Sequence, residues 1–174
     1  MFAACCLSSL LLLVGVADAR WELATESTHV VVAVQDGQPA IAALDVPGTG
    51  GAWIDGTIPV PLMAKVAVDG REIPTHWSFK DASQDKTAGT LTLAFENAEP
   101  PMTLRSCWHA LPGPGPVEHW VEITNNASTP VMLAHQDSLT LLRLMPNGAT
   151  KLWWVQRGGS NASTQGGTHI DALT

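Results

Sequence analysis

The chain has 174 residues with 16 acidic and 9 basic side chains, so its formal net charge is −7. Hydrophobic residues make up 45% of the chain and charged residues only 14%, which excludes a disordered acidic tail and a basic nucleic-acid surface. The length predicts one domain with a sizeable core, and seven tryptophans without any tyrosine are an unusual aromatic composition.

The first nineteen residues have the pattern of an export signal. Residues 2–16 are apolar apart from Ser8 and Ser9, and residues 17–19 have the small-x-small form of a cleavage site. The apolar run is shorter than the roughly 20 residues of a membrane span. The sequence therefore predicts a signal peptide at 1–19 and a secreted or periplasmic domain at 20–174 without membrane association. The alternative is a buried N-terminal strand or helix.

The rest of the chain has the pattern of an all-β protein, and we predict a large antiparallel β-sandwich. Apolar residues alternate with period two, and glycine or proline interrupts the pattern about every ten residues. Asp-Gly pairs at 36–37 and 69–70 predict tight hairpins, and Pro59 and Pro61 predict an edge or a bulge. The predicted strands are 28–34, 39–44, 60–68, 73–79, 90–95, 102–109, 117–124, 131–135, 139–144 and 152–156, and residues 158–167 are expected to form a loop or tail.

The hairpin formed by 102–109 and 117–124 has a predictable register. If paired residue numbers sum to 227, Arg105 faces Glu122, Cys107 faces Trp120 and His109 faces Glu118. One face then has complementary charges. The other face is mostly apolar and brings Leu104, Ser106 and Trp108 opposite Ile123, Val121 and His119. A slip by one residue would break both matches.

The sequence contains no strong metal or nucleophile motif, and we expect neither a metal nor another cofactor. The six histidines have no helical ligand spacing and no Cys-x-x-Cys motif is present. Cys107 is expected to be a small buried apolar residue rather than an activated thiol.

Two carboxylates of one predicted strand, those of Glu118 and Glu122, are poorly placed for glycoside hydrolysis. Four residues of a strand span roughly 13 Å, whereas the two carboxyl groups of a glycosidase lie about 5–9.5 Å apart. We therefore expect structural ion pairs, Glu118 with His109 and Glu122 with Arg105.

Tryptophan is the residue type that points most directly to a ligand. Its flat ring stacks on the apolar faces of sugars, and its N–H donates one hydrogen bond. The candidates for a sugar groove are Trp53, Trp77, Trp120 and Trp154, and the alternative for each of them is a place in the core.

A family resemblance is carried by RSCWH at 105–109, GPGPVEHW at 113–120 and ITNN at 123–126. Further matching segments lie at 130–131, 137–139, 153–159 and 166–169. Together they resemble the N-terminal β-sandwich domain of family 36 glycoside hydrolases, the α-galactosidase or melibiase type. The resemblance implies a supersandwich of the kind shared with mutarotase-like domains.

The resemblance also implies that this chain is not catalytic by itself. In that family a (β/α)8 barrel follows the sandwich and supplies both catalytic aspartates, which have no counterpart before residue 174. The expected partners are galactosides or oligosaccharides, a catalytic barrel and a second copy of the chain. The alternatives are a stand-alone secreted scaffold that binds no sugar, and an aldose epimerase that uses His109 or His119 together with a glutamate.

Overall fold

A computed structural model describes residues 19–54, 56–134, 150–155 and 168–173. Within these residues the chain forms thirteen strands and no helix. The strands are β1 (Ala19–Ala24), β2 (His29–Gln35), β3 (Gln38–Asp45), β4 (Ile58–Pro59), β5 (Lys65–Val68), β6 (Arg71–Pro74), β7 (Trp77–Asp85), β8 (Thr90–Asn97), β9 (Met102–Ala110), β10 (Val117–Asn125), β11 (Met132–Leu133), β12 (Thr150–Val155) and β13 (Thr168–Leu173).

The first sheet is antiparallel and has the strand order β1-β2-β3-β4. Asp36 and Gly37 connect β2 to β3 and have positive φ angles of 51° and 74°, as a tight turn of this kind requires. β4 lies at the edge of the sheet, where Pro59 faces Ala40. The hairpin predicted at 36–37 is therefore confirmed. Pro59 lies in an edge strand, whereas the strand predicted at 60–68 corresponds to β5, which lies between β11 and β6.

The second sheet has the order β10-β9-β8-β7 and is also antiparallel. Alternation along β8 buries Leu91, Leu93 and Phe95 completely, while Thr90 and Thr92 lie on the other face and are half-buried. Strand geometry alone produces this pattern, because successive side chains point to opposite faces.

The two sheets pack face to face around one apolar core, so the fold is an all-β antiparallel β-sandwich as predicted. The core cluster combines Val32 and Ile41 of the first sheet with Leu93 and Leu104 of the second. Aromatic rings continue the contact, since the ring of Trp21 lies 6.3 Å from that of Phe79.

Two smaller sheets complete the described structure. One has the order β11-β5-β6 and the other pairs β12 with β13. Asp69 and Gly70 form the second predicted tight turn, between β5 and β6, again with positive φ angles.

Several strand boundaries differ from the prediction. The strand predicted at 60–68 begins only at Lys65, and the strand predicted at 73–79 is split between β6 and β7. The split lies at 75–76, where the Thr75 hydroxyl donates to the Met63 carbonyl and the backbone turns from one sheet to another. β1, β4 and β13 had no counterpart in the prediction.

Residues 1–18 and 139–144 lie outside the described residues, so the signal peptide and the strand predicted at 139–144 stay predictions. β1 begins at Ala19, which pairs with Val34. Across the described ranges, no helix has the length and hydropathy of a membrane span.

Candidate functional site

The β9–β10 hairpin has the register that the sequence predicts. Arg105 pairs with Glu122, Cys107 with Trp120 and His109 with Glu118. Because alternation holds along both strands, these residues share the face of the second sheet that points away from the core.

A polar platform forms on this outer face, and we use that name for Arg105, His109, Glu118, Trp120 and Glu122. Trp120 is 41% exposed and lies between the two glutamates on β10. Its indole Nε1 donates a hydrogen bond to Glu122 Oε1 at 3.1 Å, which holds the ring against the strand. The structure thus brings one of the candidate tryptophans together with all four residues of the predicted ion pairs.

The two predicted ion pairs have different geometries. His109 Nδ1 lies 3.7 Å from Glu118 Oε2, and both side chains are partly exposed. Arg105 faces Glu122 in the register, but among the ion pairs of the described residues none joins them, and Glu122 bonds Trp120 instead. Neither arrangement adds much to stability, because exposed ion pairs contribute little.

Cys107 lies beneath the platform and is buried, with 6% of its surface exposed. Burial raises the pKa of its thiol, and the Glu122 carboxylate raises it further. A thiol with a raised pKa is a poor nucleophile at neutral pH. This matches the expectation of a small buried side chain.

The opposite face of the hairpin contains a polar network that sequence reasoning did not single out. Trp108 Nε1 donates to Ser106 Oγ at 3.0 Å, and Ser106 Oγ lies 2.9 Å from His119 Nε2. The rings of Trp108 and His119 are in contact, with centroids 4.1 Å apart and planes tilted by 35°. The signal was present in the register, which placed a serine and a histidine on an otherwise apolar face.

His119 is left with one buried ring nitrogen, Nδ1, that has no hydrogen-bond partner within the described chain. Burial lowers the pKa of this imidazole to about 4, so the ring is neutral at pH 7. Among the described residues no ion pair joins this ring to a carboxylate, and the histidine with a glutamate beside it is His109, whose Nδ1 lies 3.7 Å from Glu118 Oε2.

The other candidate tryptophans lie elsewhere. Trp77 is only 9% exposed and donates its Nε1 hydrogen bond to the Met63 carbonyl at 2.8 Å. It therefore belongs to the core, and its assignment to a surface groove is corrected. Trp53 is 48% exposed, but it follows β3 in the first sheet. Trp154 of β12 pairs with His169 of β13, and its side chain lies outside the described part.

Two grooves of 260 and 400 Å³ lie at one end of the sandwich, beside the β7–β8 turn, and contain none of the predicted site residues. Several polar groups there are engaged within the fold. Asp85 accepts the backbone N–H groups of Thr87 and Ala88, and Gln84 donates to the Glu22 carbonyl. A platform of exposed side chains needs no cavity, and we take the β9–β10 platform as the candidate site.

The described residues contain no group of three or more histidine, cysteine, aspartate or glutamate side chains arranged to hold a metal ion. The chemistry available on the platform is therefore that of an indole face, two carboxylates, a guanidinium and an imidazole. These groups stack on a ligand and form hydrogen bonds with it.

Comparisons with protein-family models, curated proteins and solved structures gave no match to this chain. The resemblance to family 36 glycoside hydrolases therefore stays a prediction from the sequence motifs.

Proposed function

We propose that this chain is a non-catalytic domain of an exported α-galactosidase-like glycoside hydrolase whose polar platform binds galactosides or oligosaccharides. The observation that carries the proposal is the exposed indole of Trp120 among side chains that donate and accept hydrogen bonds. A sugar is bound both by stacking and by hydrogen bonds, because its ring faces are apolar and its edges carry hydroxyl groups.

The fixed orientation of the indole supports this proposal. The bond from Trp120 to Glu122 restrains the ring before any ligand arrives, so less side-chain entropy is lost on binding. The second oxygen of Glu122 and the carboxylate of Glu118 are left to accept hydrogen bonds from hydroxyl groups on either side of the ring.

Isothermal titration with melibiose and raffinose tests the proposal. We expect measurable binding at millimolar sugar, and at least tenfold weaker binding by Trp120→Ala, which removes the stacking surface. Trp53→Ala is the matched control, since it removes a similarly exposed tryptophan from the loop between β3 and β4 and is expected to leave the affinity unchanged. Absence of binding by folded wild-type protein would reject carbohydrate recognition.

A scaffold function without sugar binding is the second candidate, and one observation favours it. The inward-facing side chains of β10, including Val117, Val121 and Ile123, are only half-buried, whereas those of β9 are fully buried. A row of half-buried apolar side chains along an edge strand can pack against a second copy of the chain. Light scattering during size-exclusion chromatography would show a dimer if this function holds and a monomer if it does not.

A further inference from the structure

The two carboxylates beside Trp120 determine which charge the platform tolerates in a ligand. Glu118, Trp120 and Glu122 follow each other at every second residue of β10 and are exposed on one face. Strand geometry separates each glutamate from the tryptophan by about 7 Å along the strand. A ligand stacked on the indole and extended along β10 therefore meets a carboxylate at each end.

The basic side chains beside Glu118 and Glu122 do not outweigh the negative charge of these two carboxylates. His109 Nδ1 lies 3.7 Å from Glu118 Oε2, which is longer than a hydrogen bond, and both side chains are partly exposed. Arg105 faces Glu122 across the β9–β10 pair but forms no ion pair with it among those of the described residues, so the platform has two carboxylates and one guanidinium. The whole chain also carries a net charge of −7.

Glu122 has a double role in this arrangement. It accepts the indole N–H through Oε1 and so positions the stacking surface. Because it does so as a carboxylate, it also places a negative charge at the edge of the ring. Replacement by glutamine keeps an oxygen acceptor for Trp120 and removes only the charge.

We propose that Glu118 and Glu122 are specificity-determining residues that restrict the platform to sugars without carboxylate or sulfate groups. This inference rests on the proposed carbohydrate-binding function. An acidic sugar stacked on Trp120 would bring its charge within about 7 Å of both carboxylates, and repulsion at this distance near a protein surface weakens binding by about fivefold or more.

The test compares, by titration at pH 7 and low ionic strength, two disaccharides that differ only at C6, where α-1,4-galactobiose has hydroxymethyl groups and α-1,4-digalacturonate has carboxylates. The wild type is expected to bind the neutral sugar at least about fivefold more tightly than the acidic one. The double variant Glu118→Gln/Glu122→Gln should bind both sugars within about twofold of each other. Added salt should narrow the difference for the wild type, because it screens the repulsion.

Glu72→Gln/Glu99→Gln is the control, since it changes the net charge equally at exposed positions outside β10. It is expected to preserve the wild-type preference. Equal binding of both sugars by the wild type, or an unchanged preference in the Glu118/Glu122 variant, would overturn the inference while leaving sugar binding intact. Failure of the wild type to bind either sugar would reject the proposed function itself.

Discussion

His119 shows how one residue couples a local environment to a measurable property. Its ring packs against that of Trp108 and contacts Ser106 through Nε2, while Nδ1 is buried without a partner among the described residues. A charged imidazole in this place would have a buried N–H with no acceptor, and burial accordingly lowers its pKa to about 4.

The lowered pKa of His119 predicts a loss of stability in mild acid. His119 takes up a proton near pH 6.5 in the unfolded chain but only near pH 4 in the folded chain. Its contribution to the free energy of unfolding is therefore complete above pH 6.5 and is lost as the pH falls toward 4. Between pH 7.5 and pH 5, the free energy of unfolding measured with denaturant should fall by about 1–2 kcal/mol more for the wild type than for His119→Gln.

The exposed His76 provides the control for this measurement. His76→Gln should retain the pH dependence of the wild type, because an exposed imidazole is solvated in both states. If His119→Gln loses as much stability as the wild type between the two pH values, the proton uptake assigned to His119 is contradicted.

At the scale of elements, turns and register decide how the strands of the second sheet meet. Gly89, in the turn between β7 and β8, has a φ of +67° and accepts a hydrogen bond from the Ala110 backbone at 2.8 Å. A Cβ atom at this position would lie 2.7 Å from the Ala110 carbonyl oxygen. The turn and the end of β9 therefore approach each other closely because residue 89 is a glycine.

We expect Gly89→Ala to destabilise the protein by roughly 2–4 kcal/mol, because backbone strain and a clash with backbone atoms add together. Gly48→Ala isolates the strain, since Gly48 has a similar φ of +77° and open space around its Cβ position. Gly48→Ala should lower the free energy of unfolding by only about 1 kcal/mol. Equal losses of stability for the two variants in urea unfolding would show that the close approach to Ala110 is not a constraint.

At the scale of the whole molecule, the two main sheets share one core. Ile41 of the first sheet and Leu93 of the second belong to the same cluster of buried side chains, and each is at most 1% exposed. Neither sheet can bury its apolar face without the other, so the described sandwich is expected to unfold as a unit.

This shared core predicts that truncation on either side destabilises both sheets. Ile41→Ala and Leu93→Ala should each lower the free energy of unfolding by about 2–5 kcal/mol and shift one common thermal transition. Leu133→Ala, at a side chain that is 46% exposed, should change stability by less than about 0.5 kcal/mol. Far-ultraviolet and near-ultraviolet circular dichroism that melt at different temperatures would contradict a common core.

The sequence alone determined the features that depend on neighbours along the chain or on one adjacent strand. These features are the all-β class, the turns at Asp36 and Asp69, and the β9–β10 register. Each follows from a local rule, because backbone angles are a property of turn residues and side chains alternate strictly along a strand. Residues of complementary charge and polarity then leave one register that satisfies both faces.

Only the tertiary structure decided which tryptophan is available to a ligand and which polar atoms are buried. Trp77 and Trp120 both lie in predicted strands, yet the first faces the core and the second faces outward. The interruption between β6 and β7 at residues 75–76 and the unpartnered nitrogen of His119 likewise depend on contacts between distant segments. Burial is set by what lies across the core, and period-two alternation distinguishes two faces without showing which of them another sheet will cover.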